Sequence, residues 1–317
     1  MILASNGLTA VRGRRLLAGV ELGGTKCICT LATAAGEIVA QQSVPTEMPE
    51  VTLAALDGIL DSWWVAHGFE AMGIASFGPV ALDPTSTRFG HILNTTKAHW
   101  ANTDVANRLA HFPIPFGFDT DVNGAAIAEQ RWGAGRGLDD FAYITVGTGV
   151  GVGLIVRGQP TRGIGHSELG HLRVPRLAGD AAPSGCRFHP DCVEGLASGT
   201  GIKAALGVEV ISDLATDHPV WDRVADAITC MCHALVCATG PQRIAIGGGV
   251  VSGQPHLLDR IEPMLRASLN DYLELPAEPY IVAPALGDQA GPLGPIAMAA
   301  ALLGQSRSRN HTVHGGA

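Results

Sequence analysis

At 317 residues, with 46% apolar and 5% aromatic side chains and 41 glycines, the chain exceeds the size at which one core keeps growing, and two α/β domains rich in tight turns are expected. A formal charge of −8 argues against nucleic acid and anionic membrane as main partners, because both reward basic surfaces. Seven cysteines, an odd number that includes the close pairs Cys27/Cys29 and Cys230/Cys232, argue against a secreted disulfide framework and fit reduced thiols in the cytoplasm.

In chain order, residues 1–15 carry three Arg and no acid but no apolar core of a signal peptide, and read as a disordered lead-in. Leu16–Val20, Cys27–Thr33 and Glu37–Gln42 read as a strand meander opened by the turn Glu21-Leu-Gly-Gly-Thr-Lys26. Leu53–His67 has helical periodicity, Met72–Ser76 is a short strand, and residues 81–103 are an irregular excursion on the substrate side. Ile114–Phe118 is a strand, after which Asp119–Asn123 opens a helix running to Gly133 with Thr120 as its cap. Phe141–Val146, a turn Gly147–Gly151 and Val152–Val156 repeat the opening pattern, which suggests two domains built on one plan. Thr200–Leu206 and Trp221–Thr239 read as helices, Arg243–Ile246 as a buried strand ending in Gly247–Gly249, and Leu257–Leu273 as a helix. Tyr280–Ala283 is a short strand, Pro295–Leu303 an apolar terminal helix, and the last dozen residues are polar and loose. No stretch has the length of uncharged apolar sequence that a membrane span needs.

Three glycine turns close apolar strands: Gly23, Gly24 and Thr25; Gly147, Thr148 and Gly149; Gly247, Gly248 and Gly249. Glycine lets backbone N–H groups approach phosphate, and the Thr hydroxyls add donors. Any tight turn needs glycine, but three in matching positions point to a nucleotide, although none has the spacing of a P-loop or of a dinucleotide fingerprint. Asp121 is the candidate base, placed in a helix's first turn with Asn123 as a neutral neighbour.

The stretch His166–Gly199 is the densest in chemistry. Cys186, His189 and Cys192, completed by His171, form a zinc-type ligand set, structural because four protein ligands leave no open position. Glu168 and Glu194 flank it as hard oxygen acceptors suited to polyol hydroxyls. Taken singly, Glu168 and His171 also match a helical surface pair.

The ordered set GVELGGTK, DTDVNGAA, ITVGTGVGVG, ELGH, CRFHPDCVEGLASG and IAIGGGVV, spread from Leu16 to Leu303, resembles the ROK family of bacterial sugar kinases and especially its fructokinase branch. The resemblance implies a two-domain α/β actin-like, ribonuclease H-type fold with an ATP cleft between the domains. The boundaries expected are 16–120 plus 290–304 for a small domain and 121–289 for a large one carrying the loop 166–199. It implies ATP with Mg2+, a structural Zn2+ on His171, Cys186, His189 and Cys192, and a homodimer. By position it makes Asp121 the catalytic base. It makes Asn94, Asn123, Glu168, His171 and Glu194 sugar contacts, Gly23–Lys26 and the other two glycine turns nucleotide contacts, and Glu21 a ligand of magnesium through water. His171 then faces metal on one side and substrate on the other. Thr120 stands where the family commonly has Asn, and His189 in place of a cysteine favours fructose over glucose.

Phosphorylation of D-fructose to fructose 6-phosphate is therefore expected, with glucose, mannose or N-acetylmannosamine as alternative acceptors. Some family members are sugar-sensing regulators, but the residues before Leu16 are too few for a DNA-binding helix-turn-helix. A zinc hydrolase is disfavoured by the closed ligand set.

Overall fold

The computed structural model describes residues 15–276 and 279–312, with side chains through residue 304. The expected lead-in lies, except for Arg15, outside the described residues. The elements run β1 Leu16–Leu22, β2 Lys26–Thr33, β3 Ile38–Pro45, α1 Pro49–Ala66, β4 Ala71–Ser76, α2 Ala106–Leu109, β5 Phe116–Thr120 and α3 Asp121–Trp132. There follow β6 Phe141–Val146, β7 Val150–Val156, β8 Gln159–Pro160, α4 Val193–Ala197, α5 Gly199–Leu206 and α6 Val220–Thr239. The chain closes with β9 Ile244–Gly247, α7 Gly249–Gly253, α8 His256–Leu269, β10 Ile281–Val282 and α9 Ala290–Thr312.

These elements fall into two compact units. The first takes the chain through Trp132, then Gly163–His166, then everything from Asp288; the second takes Gly133–Arg162 and Ser167–Gly287. α3 thus groups with the first unit, one helix beyond the boundary expected at residue 120, because it packs on α9.

The first unit holds a five-stranded sheet in the order β3-β2-β1-β4-β5, with β1, β2 and β3 antiparallel and β4 and β5 parallel to β1. β1 and β4 are buried almost throughout, as strands covered on both faces must be. One face carries Leu53, Leu56, Leu60 and Trp63 of α1, and the other carries Ile296, Ala299 and Ala300 of α9. Pro49 at the first turn of α1 needs no N–H partner there, so the helix starts four residues before its apolar periodicity is visible. α3 and α9 meet at Gly124 and Gly294, where a Cβ on Gly294 would stand 2.5 Å from the Gly124 carbonyl carbon. Only glycine permits that approach.

The second unit repeats the plan. Its sheet runs β10-β9-β6-β7-β8, with β6, β7 and β8 antiparallel and β9 and β10 parallel to β6. Its core gathers Ile144, Val146 and Val152 of the sheet with Trp221, Ile228 and Leu235 of α6 and Leu257, Ile261 and Leu265 of α8. α6 ends at left-handed Gly240, and α8 ends at left-handed Asn270, short of the expected Leu273.

Two other expectations shift. The terminal helix begins at Ala290 and passes through Pro295 instead of starting there, and it continues to Thr312 through residues expected to be loose. Within 81–103 the chain is irregular apart from isolated bridges, Val80 with Ile92 and His91 with Asp104, and the short α2 follows it.

Candidate functional site

The expected site residues divide between the units. Glu21, Gly23, Gly24, Thr25, Lys26, Asn94, Asp121 and Asn123 belong to the first; Gly147–Gly149, Glu168, His171, Cys186, His189, Cys192, Glu194 and Gly247–Gly249 belong to the second.

In the first unit Asp121 opens α3 directly after β5. Thr120 caps the helix, its Oγ1 accepting from Asn123 N at 3.1 Å. Asp121 Oδ1 accepts from Val122 N at 2.8 Å, and the helix dipole favours its charge. Across the same end of the sheet, the Glu21 carboxyl has its pKa pushed up to about 7, first by burial and then by the negative charge of Asp121, while Lys26 opposes the rise. Gly291, at the start of α9, lies against the Glu21 carboxylate, which a Cβ added there would have to displace. The charge of Asp121 thus adds to the cost of ionising Glu21, and carboxylate oxygens are the ligand type that a hard divalent cation takes.

The first glycine turn is tied down by two residues that no motif announced. Thr46 donates its hydroxyl to Gly23 O at 2.7 Å, and its backbone N–H to Thr25 O at 2.9 Å. Lys97 Nζ donates to Gly24 O at 2.6 Å. Lys97 stands three residues after Asn94, an exposed side chain on the loop that follows Ile92.

Asn123 stands apart from the other expected sugar contacts. Its side chain is 1% exposed, and its amide donates to Asp119 Oδ1 at 2.8 Å. Asp119, itself 2% exposed, also accepts from Thr120 N at 2.7 Å. Asn123 therefore braces the strand-to-helix corner that carries Asp121. Asp119 and Asp121 stand two apart, a spacing that would put both on one face of a strand, and they part because the chain turns into α3 at Asp121.

The second unit gathers its expected residues most closely. The ligand atoms of His171, Cys186, His189 and Cys192 all lie within 4.8 Å of one another. Cys186 Sγ is 3.7 Å from His171 Nδ1 and 3.8 Å from His189 Nδ1, and Cys192 Sγ is 3.8 Å from His171 Nδ1. A tetrahedral zinc with ordinary Zn–S and Zn–N bonds sets such edges at about 3.6 Å. The donor set and spacing fit that ion.

Backbone N–H groups already point at the sulfurs, Phe188 N at Cys186 and Gly195 N at Cys192, both at 3.4 Å. Burial pushes the Cys192 thiol up to about 12, so a cation entering this set displaces a proton from it. The loop's two ends are zipped by Val174 N to Asp191 O at 2.9 Å and Val193 N to Leu172 O at 3.0 Å.

His171 turns Nδ1 to the thiols and Nε2 toward Glu194, whose Oε1 is 3.9 Å away. The other Glu194 oxygen accepts from Val150 N at 3.1 Å. Glu194 thus ties the metal-type cluster to the second glycine turn. That turn is also held by Gly199 N to Gly147 O at 2.7 Å and by the Thr200 hydroxyl to Thr148 O at 2.8 Å. The third glycine turn lies beside it, since Thr145 of β6 pairs with Gly247 of β9. Glu168 is exposed, one residue before the 3-10 turn Leu169–His171, and its carbonyl accepts from His171 N at 2.9 Å.

The chain is 37% identical to a fructokinase of Pediococcus pentosaceus, over 91% of this chain and 99% of that one. It is 38% identical to a fructokinase of Zymomonas mobilis over 91% and 97%. Among solved structures it superposes, with TM-score 0.70 and 26% identity over 90% of this chain and 99% of the other, on a ROK family glucokinase from Streptomyces griseus in complex with glucose and AMPPNP. The fold is the two-domain actin-like fold of these sugar kinases. The ROK family profile matches residues 17–302, and the chain belongs to the ROK family.

Proposed function

We propose that the protein transfers the γ-phosphoryl group of ATP to the 6-hydroxyl of D-fructose. The observation that carries this reading is similarity to fructokinases at 37% and 38% identity over 91% of the chain; Asp121 at the start of α3 and His171 Nε2 at 3.9 Å from Glu194 support it.

Asp121 accepts the proton of the attacking hydroxyl. In a loose phosphoryl-transfer transition state that proton leaves late, so the fixed position of the carboxylate matters more than its basicity. Asn94, Glu168, His171 and Glu194 bind the sugar hydroxyls, with Asn123 in support of Asp121. The three glycine turns, with Thr25, Lys26 and Thr148, hold the nucleotide. Glu21 holds Mg2+ through water, and the ion, when bound, neutralises phosphate charge. His171, Cys186, His189 and Cys192 hold Zn2+, which when bound fixes the loop that presents Glu168 and Glu194. Free thiols at all seven cysteines support a cytoplasmic protein. No helix among the described residues is long and apolar enough to cross a membrane. A homodimer is the assembly proposed by family resemblance.

The test is a coupled assay with purified protein, ATP, Mg2+ and a panel of hexoses. Turnover is expected with fructose above the other sugars. No turnover on any hexose overturns the kinase reading, and turnover on glucose or N-acetylmannosamine without fructose overturns the choice of acceptor.

A further inference from the structure

The second unit carries a groove between α6 and α8, of about 390 Å³, that shares no residue with the site above. A pocket of this size suits a small molecule. Its floor is apolar, with Met264 and Ala267 of α8, but its polar groups are unusual for a helix surface. Thr229 is 5% exposed, and its hydroxyl makes no hydrogen bond. A threonine inside a helix ordinarily returns its proton to the carbonyl one turn back. A buried hydroxyl left without a partner is costly, and this one lines the groove.

Asp226 lies one helical step from Thr229, partly buried, and among the described residues it makes no ion pair. Burial raises its pKa with no cation to offset the effect. The remaining polar group is also an acceptor. Ser268 donates its proton to Leu265 O at 2.9 Å, so the 2.9 Å contact between His233 Nδ1 and Ser268 Oγ has the imidazole as donor. In the neutral ring that leaves Nε2 as a lone pair. The groove therefore offers a carboxylate, a hydroxyl and an imidazole nitrogen above an apolar floor.

We propose that this groove binds a small organic ammonium ion, its charge on Asp226, an N–H on Thr229 Oγ1 and its apolar body against Met264 and Ala267. The complementarity is one of charge: a neutral ligand of the same shape leaves Asp226 unpaired. The site is independent of the kinase reading.

The experiment uses the full chain loaded with zinc, with 2-phenylethylammonium as probe and 2-phenylethanol as its neutral counterpart, followed by isothermal titration calorimetry. Saturable binding of the amine is expected, with the alcohol about tenfold weaker or worse, the range for losing a hydrogen bond to a charged group. Asp226→Asn and Thr229→Val should each weaken the amine by a similar factor, while turnover without amine stays unchanged in Asp226→Asn. As a locating readout, the amine should slow alkylation of Cys230, which lines the groove, but not of exposed Cys237. Equal affinity for amine and alcohol, no saturable binding, or unprotected Cys230 overturns the proposal. So does a change from dimer to monomer by light scattering in Asp226→Arg, which would assign the groove to a second copy of the chain.

Discussion

Asp121 and Glu21 confront one another across the end of the first sheet, and their coupling can be tested from both sides. Asp121→Asn keeps size and cap geometry but removes the proton acceptor. Fructose binding should persist while kcat falls by about 10²- to 10⁴-fold, the ordinary range for general-base loss; retained turnover would remove Asp121 from the role. Glu21 has its folded pKa raised from 4.5 to about 7, so the folded state holds the proton more tightly than the unfolded chain. Its contribution is fully present below about pH 4.5, and it is lost as pH rises through about 7. In metal-free protein the loss amounts to at most about 3 kcal/mol. Glu21→Gln should flatten that part of the stability profile, measured by urea denaturation from pH 5 to 8 without Mg2+. A profile unchanged by the substitution would mean that Glu21 is not the titrating group. Asp121 was legible from its place at a capped helix start, whereas Glu21 was singled out only by the family resemblance. Sequence reasoning gave no role to Thr46 and Lys97, which act through contacts to backbone oxygens distant in the chain, nor to Asp119, whose contacts to Thr120 and Asn123 are local but depend on which way the corner turns.

The contact between α3 and α9 decides how firmly that corner is held. With the Gly294 Cβ position 2.5 Å from the Gly124 carbonyl carbon, Gly294→Ala must part the helices. Overpacking of this kind costs about 1–3 kcal/mol, of which the better helix propensity of alanine returns up to about 1. The variant should lose net stability to urea, and kcat should fall more than KM changes because α3 begins at Asp121. A variant as stable as the parent would mean that the helices can slide. This contact was not legible in the sequence. Apolar periodicity locates a helix's buried face but not its partner, and Pro295 drew the start of α9 five residues late. The strand meanders and the metal-type loop were legible because alternation, glycine turns and Cys/His spacing are local signals.

Each unit has a core of its own, so damage to one need not spread to the other. Removing zinc with a chelator, or replacing Cys186 with Ser, should therefore act on the second unit. About one equivalent of zinc per chain is expected by elemental analysis, and its loss should abolish turnover. Amide exchange should accelerate in peptides from 167–200 and α4 while β1 and β4 stay protected. Equal acceleration in both units would place the ion's role elsewhere, and a metal-free preparation with full activity would remove it. The repeat of one sheet plan was visible as two strand-turn-strand runs. The parallel strands β5 and β10 that complete each sheet were seen only as isolated short segments, since pairing across long connections leaves no trace in spacing.

The return of the chain to its first unit sets an order of assembly on the ribosome. β1 to β5 and α3 are synthesised first, yet one face of their sheet and the inner side of α3 wait for α9, which is made last. The second unit, apart from its link at Gly163–His166, is complete once Gly287 has emerged. The half made later can therefore close earlier. Until then the first unit's sheet carries an uncovered apolar face, open to chaperones and to neighbouring chains.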